Sequence, residues 1–349
     1  MLLFSLKNIR NLTFFSTLFT LVVISVGAWV RLTDAGLGCP DWPGCYGILG
    51  TPDTEIELTK ARQAYPDAEI DIGKAWREMF HRYLAGILGI MVFFISYCTL
   101  KYAKNVSKII PYALSILIII QSIMGMLTVT ELVKPTIVTT HLILGIFTAV
   151  LLFWNALLVH YAYKISIHKL SDEHLIISKR FHINNFSIFI FICILALIAQ
   201  IILGGWTSTN YASLACTDFP KCTNQWWPTD MNFSEGFTIF NLSDINYELA
   251  PLPYDAKLAI HFTHRIGALL IILLYITLFL FVFFMQKNIL LKKISLFVLF
   301  FFITQIILGI SNVVYSLPIT IAVAHTVNAA ILLISMITLL YYSTNYTQR

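Results

Sequence analysis

Four histidines and one glutamate carry the chemistry this sequence offers. His81, His141, His264 and His325 each lie near the start of a long apolar run, and Glu78 precedes His81 by three residues. An ionisable side chain inside an apolar span is costly and usually faces the protein interior. Taken singly, each histidine is as well explained by a hydrogen-bonded place in the core. Four of them, matched in two pairs by an internal repeat, ask for a common ligand. Two imidazoles from facing helices can hold a planar metal macrocycle between them, as haem iron is held in helix bundles. Zinc fits less well, because each half offers only two clear ligands and a closed zinc site needs four. We therefore expect two bis-histidine haem sites, His81 with His141 and His264 with His325.

The neighbours of these residues bear on the same chemistry. Arg82 and Arg265 each follow the first histidine of a pair. A guanidinium there is a natural partner for a haem propionate, or it snorkels to the membrane interface. At the position three residues before the His-Arg pair, the first half has Glu78 and the second has His261. Residues i and i+3 share a helix face, so Glu78 lies beside the first site. A carboxylate there can act as a base or stabilise developing positive charge; it is equally a residue that the start of a helix favours. Gly86, Gly89, Gly145 and Gly267 leave room for a flat ring or for a close helix. His160, His168, His174 and His182 read as solvated or interfacial side chains.

The elements that position these groups follow from hydropathy. The 349 residues are 58% hydrophobic and 12% charged, against about 25% charged in a soluble domain, and the mean hydropathy is +0.79. Eight apolar segments are long enough to span a bilayer, at roughly 20 residues each: 11–32, 80–100, 109–130, 137–163, 185–207, 258–285, 293–315 and 320–342. The first is too long for the core of a signal peptide, and no small-residue cleavage site follows it. Lysine and arginine concentrate on one side, at Lys7 and Arg10, Lys101 to Lys108, Lys164 to Arg180, and Lys287 to Lys293. The positive-inside rule makes that side, and both termini, cytoplasmic. The net charge of +5 reflects this bias and does not call for nucleic acid. All four histidines then lie toward the outer face.

Two long outer loops, 33–79 and 208–257, each contain a cysteine pair, Cys39/Cys45 and Cys216/Cys222. Outside a bacterial inner membrane thiols tend to be oxidised. Disulfides are expected, each stabilising its loop by roughly 2–2.5 kcal/mol in the chain-entropy model; free pairs or a metal clip are the alternatives. Cys98 and Cys193 fall within spans and read as packing residues. The stretch 51–78 should contain a surface helix, and the aromatic 224–233 should lie at the interface.

The chain repeats itself. "GAWVRLTDAGLGCPDWPGC" at 27–45 aligns with "GGWTSTNYASLACTDFPKC" at 204–222, offset 177. The His-Arg pairs recur at offset 183, and Gln121, Gly125 and His141 meet Gln305, Gly309 and His325 at offset 184. Each half holds four spans, an even number, so the halves run parallel. The expected fold is an all-α membrane protein whose eight transmembrane helices form two parallel-repeat four-helix bundles: residues 1–165, a cytoplasmic linker 166–184, and residues 185–349.

In this order and with eight spans, "GAWVRLTDAGLGCPDWPGC", "EMFHR", "THLILG", "HFTHR" and "AHTVNAA" resemble the haem A synthase family from about residue 12 to 342. The resemblance implies an oxidoreductase that converts one methyl group of haem O to a formyl group, giving haem A for terminal cytochrome oxidases. It implies that His81 and His141 bind haem O or haem A, that His264 and His325 hold haem b for electron transfer, and that Glu78 is catalytic. It matches Cys39/Cys45 to the family's outer-loop cysteines; Cys216/Cys222 occurs in only some members. The implied partners are the lipid bilayer, haem O synthase as the source of haem O, an electron acceptor not identified by the sequence, and oxidase assembly factors. A homo-oligomer is left open. If both His81 and His141 ligate the substrate iron, no position remains for dioxygen. Either one histidine leaves, or water supplies the oxygen and Glu78 assists it. The rival reading is a dihaem cytochrome b that oxidises quinol without modifying haem; a transporter with rocking halves is a further alternative.

Overall fold

The computed structural model describes residues 5–168, 184–240 and 245–345. Among them are ten α-helices: α1 (Leu6–Leu32), α2 (Glu55–Ala64), α3 (Ile72–Tyr102), α4 (Ile109–Thr130), α5 (Pro135–His168), α6 (Asn185–Thr209), α7 (Phe233–Gly236), α8 (Tyr254–Met285), α9 (Ile289–Val314) and α10 (Ile319–Asn345). All but α2 and α7 are long and apolar enough to cross a membrane. At 1.5 Å per residue even the 22-residue α4 reaches about 33 Å, enough for a hydrocarbon core of about 30 Å. The expected linker, with His174 and His182, lies almost wholly outside the described residues.

Local chemistry explains where the helices start. The Asp71 carboxylate accepts from Lys74 N at 3.0 Å, so α3 begins eight residues before the apolar run expected at residue 80. Glu78, His81 and Arg82 therefore share one rigid helix. Thr54 and Glu57 form a reciprocal capping box on α2, and this helix is the expected element within 51–78. Asn184 and Ser187 cap α6 in the same way. Pro135 opens α5, where its missing N–H costs nothing.

In the first half α1 packs on α3 and α5, and α4 packs on α3 and α5. In the second half α6 packs on α8 and α10, and α9 packs on α8 and α10. The halves meet through α1 with α10, α5 with α6, and α5 with α10. The main apolar core lies in the second half and at this junction, around Tyr275, Leu333 and Met336; a smaller one, around Val92, Ile95 and Leu114, fills the first half. Cys98 and Cys193 are buried thiols, as expected of packing residues.

Repeat-equivalent positions touch one another at the outer junction. Arg31 donates to the Ser208 carbonyl at 2.8 Å, and these positions are 177 apart. Tyr211 Oη donates to Asp34 Oδ1 at 2.9 Å, again 177 apart. Arg31 stacks over the Tyr211 ring at 3.9 Å and lies 3.6 Å from Asp34. Burial raises the Tyr211 phenol above its ordinary pKa, with the Asp34 charge adding to the shift and Arg31 opposing it. Charged hydrogen bonds and a partly desolvated cation–π contact together contribute about 2 kcal/mol. Arg31→Leu should lower the thermal unfolding midpoint of the purified protein clearly, whereas Lys60→Gln on the exposed face of α2 should leave it unmoved.

Candidate functional site

Two disulfide-bearing loops are built to one plan. Both expected disulfides are present, Cys39–Cys45 and Cys216–Cys222, with Cα separations of 4.8 and 4.7 Å. Within the first loop the Asp41 carboxylate accepts from Tyr46 N at 2.6 Å and Gly47 N at 2.9 Å. Within the second, Asp218 accepts from Thr223 N at 2.6 Å and Asn224 N at 2.9 Å.

An arginine ties each loop to a helix. Arg82 on α3 donates to the carbonyls of Asp41 at 2.9 Å and Pro43 at 3.3 Å, and also to that of Gly44. Arg265 on α8 donates to the carbonyls of Asp218 and Lys221 at 2.8 Å and of Cys216 at 2.9 Å. Loop carbonyls close to a bilayer need donors, and a forked guanidinium serves several at once. Both arginines thus have a loop-binding role that differs from either of the two roles weighed from sequence.

Glu78 completes the first tie. It is 4% exposed. Its Oε2 accepts from Cys39 N at 2.8 Å, and its Oε1 pairs with Arg82. His261 takes the same place in the second half. Its Nδ1 meets Cys216 N at 3.1 Å, and its Nε2 meets Arg265 Nε at 3.3 Å. A carboxylate accepts both bonds, whereas a neutral imidazole accepts at one nitrogen only. The two halves thus share a scaffold but differ by a buried negative charge. That charge reaches outward: burial raises the Tyr46 phenol, and Glu78 and then Asp41 raise it further. Burial likewise raises the Glu248 carboxyl, against the pull of Lys74.

The four site histidines come from α3, α5, α8 and α10. Each ring lies against a glycine of the neighbouring helix. A Cβ at Gly27 would sit 2.9 Å from His81 Cε1; at Gly125, 3.2 Å from His141 Cε1; at Gly204, 3.1 Å from His264 Cε1; and at Gly309, 3.2 Å from His325 Cε1. No L side chain other than glycine fits at these four places without moving an imidazole.

Amides flank the rings. Gln121 Nε2 is 3.0 Å from the His141 carbonyl and 3.5 Å from its Nε2. Gln305 Nε2 is 3.2 Å from His325 Nε2, and Asn328 Nδ2 donates to Gln305 Oε1 at 2.7 Å. Gln200 Nε2 is 3.1 Å from His264 Nδ1. The Nδ1 atoms of His81, His141 and His325 are buried without a partner. His141 and His325 thus have one nitrogen beside an amide and one uncommitted. An axial haem ligand divides its nitrogens in this way between a second-shell group and iron. His81 and His141 in the first half, and His325 in the second, thus each keep a ring nitrogen free to hold haem iron. Among the described residues, no three His, Cys, Asp or Glu side chains gather around a bare-ion position.

Sequence reasoning missed the four ring-bearing glycines and the amides, although the repeat had paired Gly27 with Gly204 and Gln121 with Gln305. It singled out other glycines instead. Gly86 faces open space. Gly267 makes room for the Gln200 amide, whose Oε1 would collide with a Cβ there.

Residues 10–337 match the model of the COX15-CtaA family, described as cytochrome oxidase assembly protein. The chain is 39% identical over 324 residues to the heme A synthase of Shewanella oneidensis, covering 93% of each chain. It is 27% identical over 343 residues to that of Rickettsia prowazekii, covering 94% of this chain and 96% of the relative. The heme A synthase of Pelagibacter ubique is also 27% identical, over 360 residues.

Overpacking such a contact typically costs about 1–3 kcal/mol, or roughly five- to 150-fold in ligand affinity. Gly204→Val and Gly309→Val should weaken haem binding in the second half by roughly tenfold or more, read from absorption spectra of the purified protein. Ala at Gly50, which has nothing within 4 Å of its Cβ position, should leave the spectrum as it is.

Proposed function

The chain belongs to the COX15-CtaA family of cytochrome oxidase assembly proteins, and on that premise we propose that it is a haem A synthase, a membrane enzyme that turns haem O into haem A. The observation that carries the division of labour is the unequal pair of acceptors, Glu78 in one half and His261 in the other. Two sites built alike except for a buried carboxylate suit one site that reacts and one that only holds.

In this reading residues 1–165 form a four-helix bundle that takes haem O between His81 and His141. Residues 185–349 form a second, parallel bundle, joined to the first by the cytoplasmic linker 166–184. The contacts Arg31–Ser208 and Asp34–Tyr211 support a pseudo-twofold relation along the membrane normal, because equivalent residues meet only near such an axis. His264 and His325 hold haem b, which when bound supplies electron transfer. Both termini face the cytoplasm, and the sites lie toward the outer face of a bacterial inner membrane.

The reaction takes a methyl carbon to a formyl carbon in successive two-electron oxidations, each releasing protons and passing electrons to an external acceptor. Glu78 is the buried group beside the first site that can accept such a proton or stabilise positive charge at the carbon. Arg82 keeps the carboxylate in place. With His81 and His141 both on iron, water is the oxygen source that leaves the ligation intact. A dihaem cytochrome that only passes electrons would need the carboxylate for the loop tie alone, a task that His261 performs in the second half.

General acid–base residues typically contribute 10²–10⁴-fold. Glu78→Gln should keep both haems and lower haem A formation by about 10²-fold or more, measured by extraction and chromatography of the bound pigment. His264→Ala should remove the haem b spectrum while haem O still binds the first half. In isotopically labelled water, the first alcohol product should carry the label; a label arriving only from dioxygen would reject the water route.

A further inference from the structure

A groove of about 260 Å³ opens on the flank of the first half. It is lined by Gly89 and Phe93 of α3, Ile118, Ser122 and Met126 of α4, and Trp42 of the arginine-tied loop. The α4 residues recur at helical spacing and form one face. The groove lies between the two helices that serve the first site, α3 with His81 and α4 with Gly125, which backs His141. Met126 follows Gly125, which backs His141, and Ser122 follows Gln121, which flanks it. Its outer end is the loop held by Glu78 and Arg82.

The second half closes the same space. At offset 183 Gly89 becomes Ile272, and at offset 184 Ile118 becomes Phe302 and Ser122 becomes Ile306. Phe302 is 6% exposed and stacks on Tyr275 at 4.6 Å; Ile272 and Ile306 pack against the same core. One turn before Gly89, Gly86 also becomes larger, as Leu269. The repeat thus preserves the histidines, the backing glycines and the arginine clamps. It replaces Gly86, Gly89 and Ser122 of the first half with the larger Leu269, Ile272 and Ile306 in the second.

We propose that this α3–α4 groove is the subsite for the isoprenoid tail of haem O. The inference rests on the assignment of haem O to the first half and haem b to the second. Haem O carries a long apolar farnesyl chain, and haem b has none. An open apolar channel beside one macrocycle site and a filled one beside the other match that difference. The tail leaves the bundle between α3 and α4, with the small side chains of Gly89 and Ser122 giving it depth. It buries apolar surface against Phe93, Ile118 and Met126 and lets the first site select its substrate from a more abundant haem without a tail.

The test is the haem composition of the full-length protein purified from cells that make both haem B and haem O. Gly89→Ile with Ser122→Ile fills the groove with the second half's residues. The ratio of haem O plus haem A to haem B should fall by about tenfold or more, with haem B taking the first site. The reverse pair, Ile272→Gly with Ile306→Ser, opens the second half and should raise bound haem O in an otherwise unchanged chain. An unchanged ratio in the filled variant overturns the proposal, and is also the outcome if a bilayer acyl chain occupies the groove. If the filled variant holds no haem in its first site, the opened variant decides, and no gain of haem O there overturns the proposal. A wild-type protein without haem O or haem A under the same supply would instead contradict the parent assignment.

Discussion

The imidazole of each site histidine rests on a bare stretch of helix backbone, and this contact sets how the two bundles are built. Gly27, Gly125, Gly204 and Gly309 sit where a single methyl group would meet a ring carbon at 2.9–3.2 Å. The histidine then has one preferred place, backed by a rigid neighbour instead of by a flexible side chain. A metal site needs its ligands held to within a fraction of an ångström. In a bilayer, where helix association depends on packing more than on water exclusion, close backbone approach supplies that rigidity and brings the helices together.

Above the rings, the arginine clamps solve a second problem. Each outer loop contains a seven-residue disulfide ring whose carbonyls point back toward the helices. One guanidinium gathers several of them, and a buried acceptor at the preceding helical turn orients the guanidinium. In the second half this acceptor is an imidazole and the arrangement is structural. In the first half it is a carboxylate, Glu78, which fills the same structural place one helical turn from His81. Glu78, the group we propose reacts, is held by the same bonds that tie the loop to α3. Its geometry is fixed before any substrate arrives, and it loses little freedom on binding.

The repeat made a division of labour possible. The repeat gives both halves a histidine-bearing pair of helices, and small changes then distinguish them. Glu78 against His261 changes charge. Gly89, Ile118 and Ser122 against Ile272, Phe302 and Ile306 change shape. Gln200, with no amide partner at the equivalent Val23, changes the hydrogen bonding around one histidine. None of these disturbs the helix contacts that the halves share.

Much of this was legible in the sequence. The eight spans follow from hydropathy because the bilayer demands about 20 apolar residues per crossing. The cysteine pairs, the four histidines and the place of Glu78 follow from residue type and spacing. The repeat set His81 against His264 and His141 against His325 as equivalent positions, and each of the four rings lies against a glycine. What only the tertiary structure decided was which groups meet across helices. Arg82 and Arg265 turned out to bind loop carbonyls, because a loop folding back over a helix end brings unpaired acceptors within reach, and spacing along the chain cannot register that. The glycines that matter for the rings lie on α1, α4, α6 and α9, not on the helices that carry the histidines. Helical periodicity tells which residues share a face. It does not tell which neighbour that face will press against, because that depends on the packing of all eight helices at once.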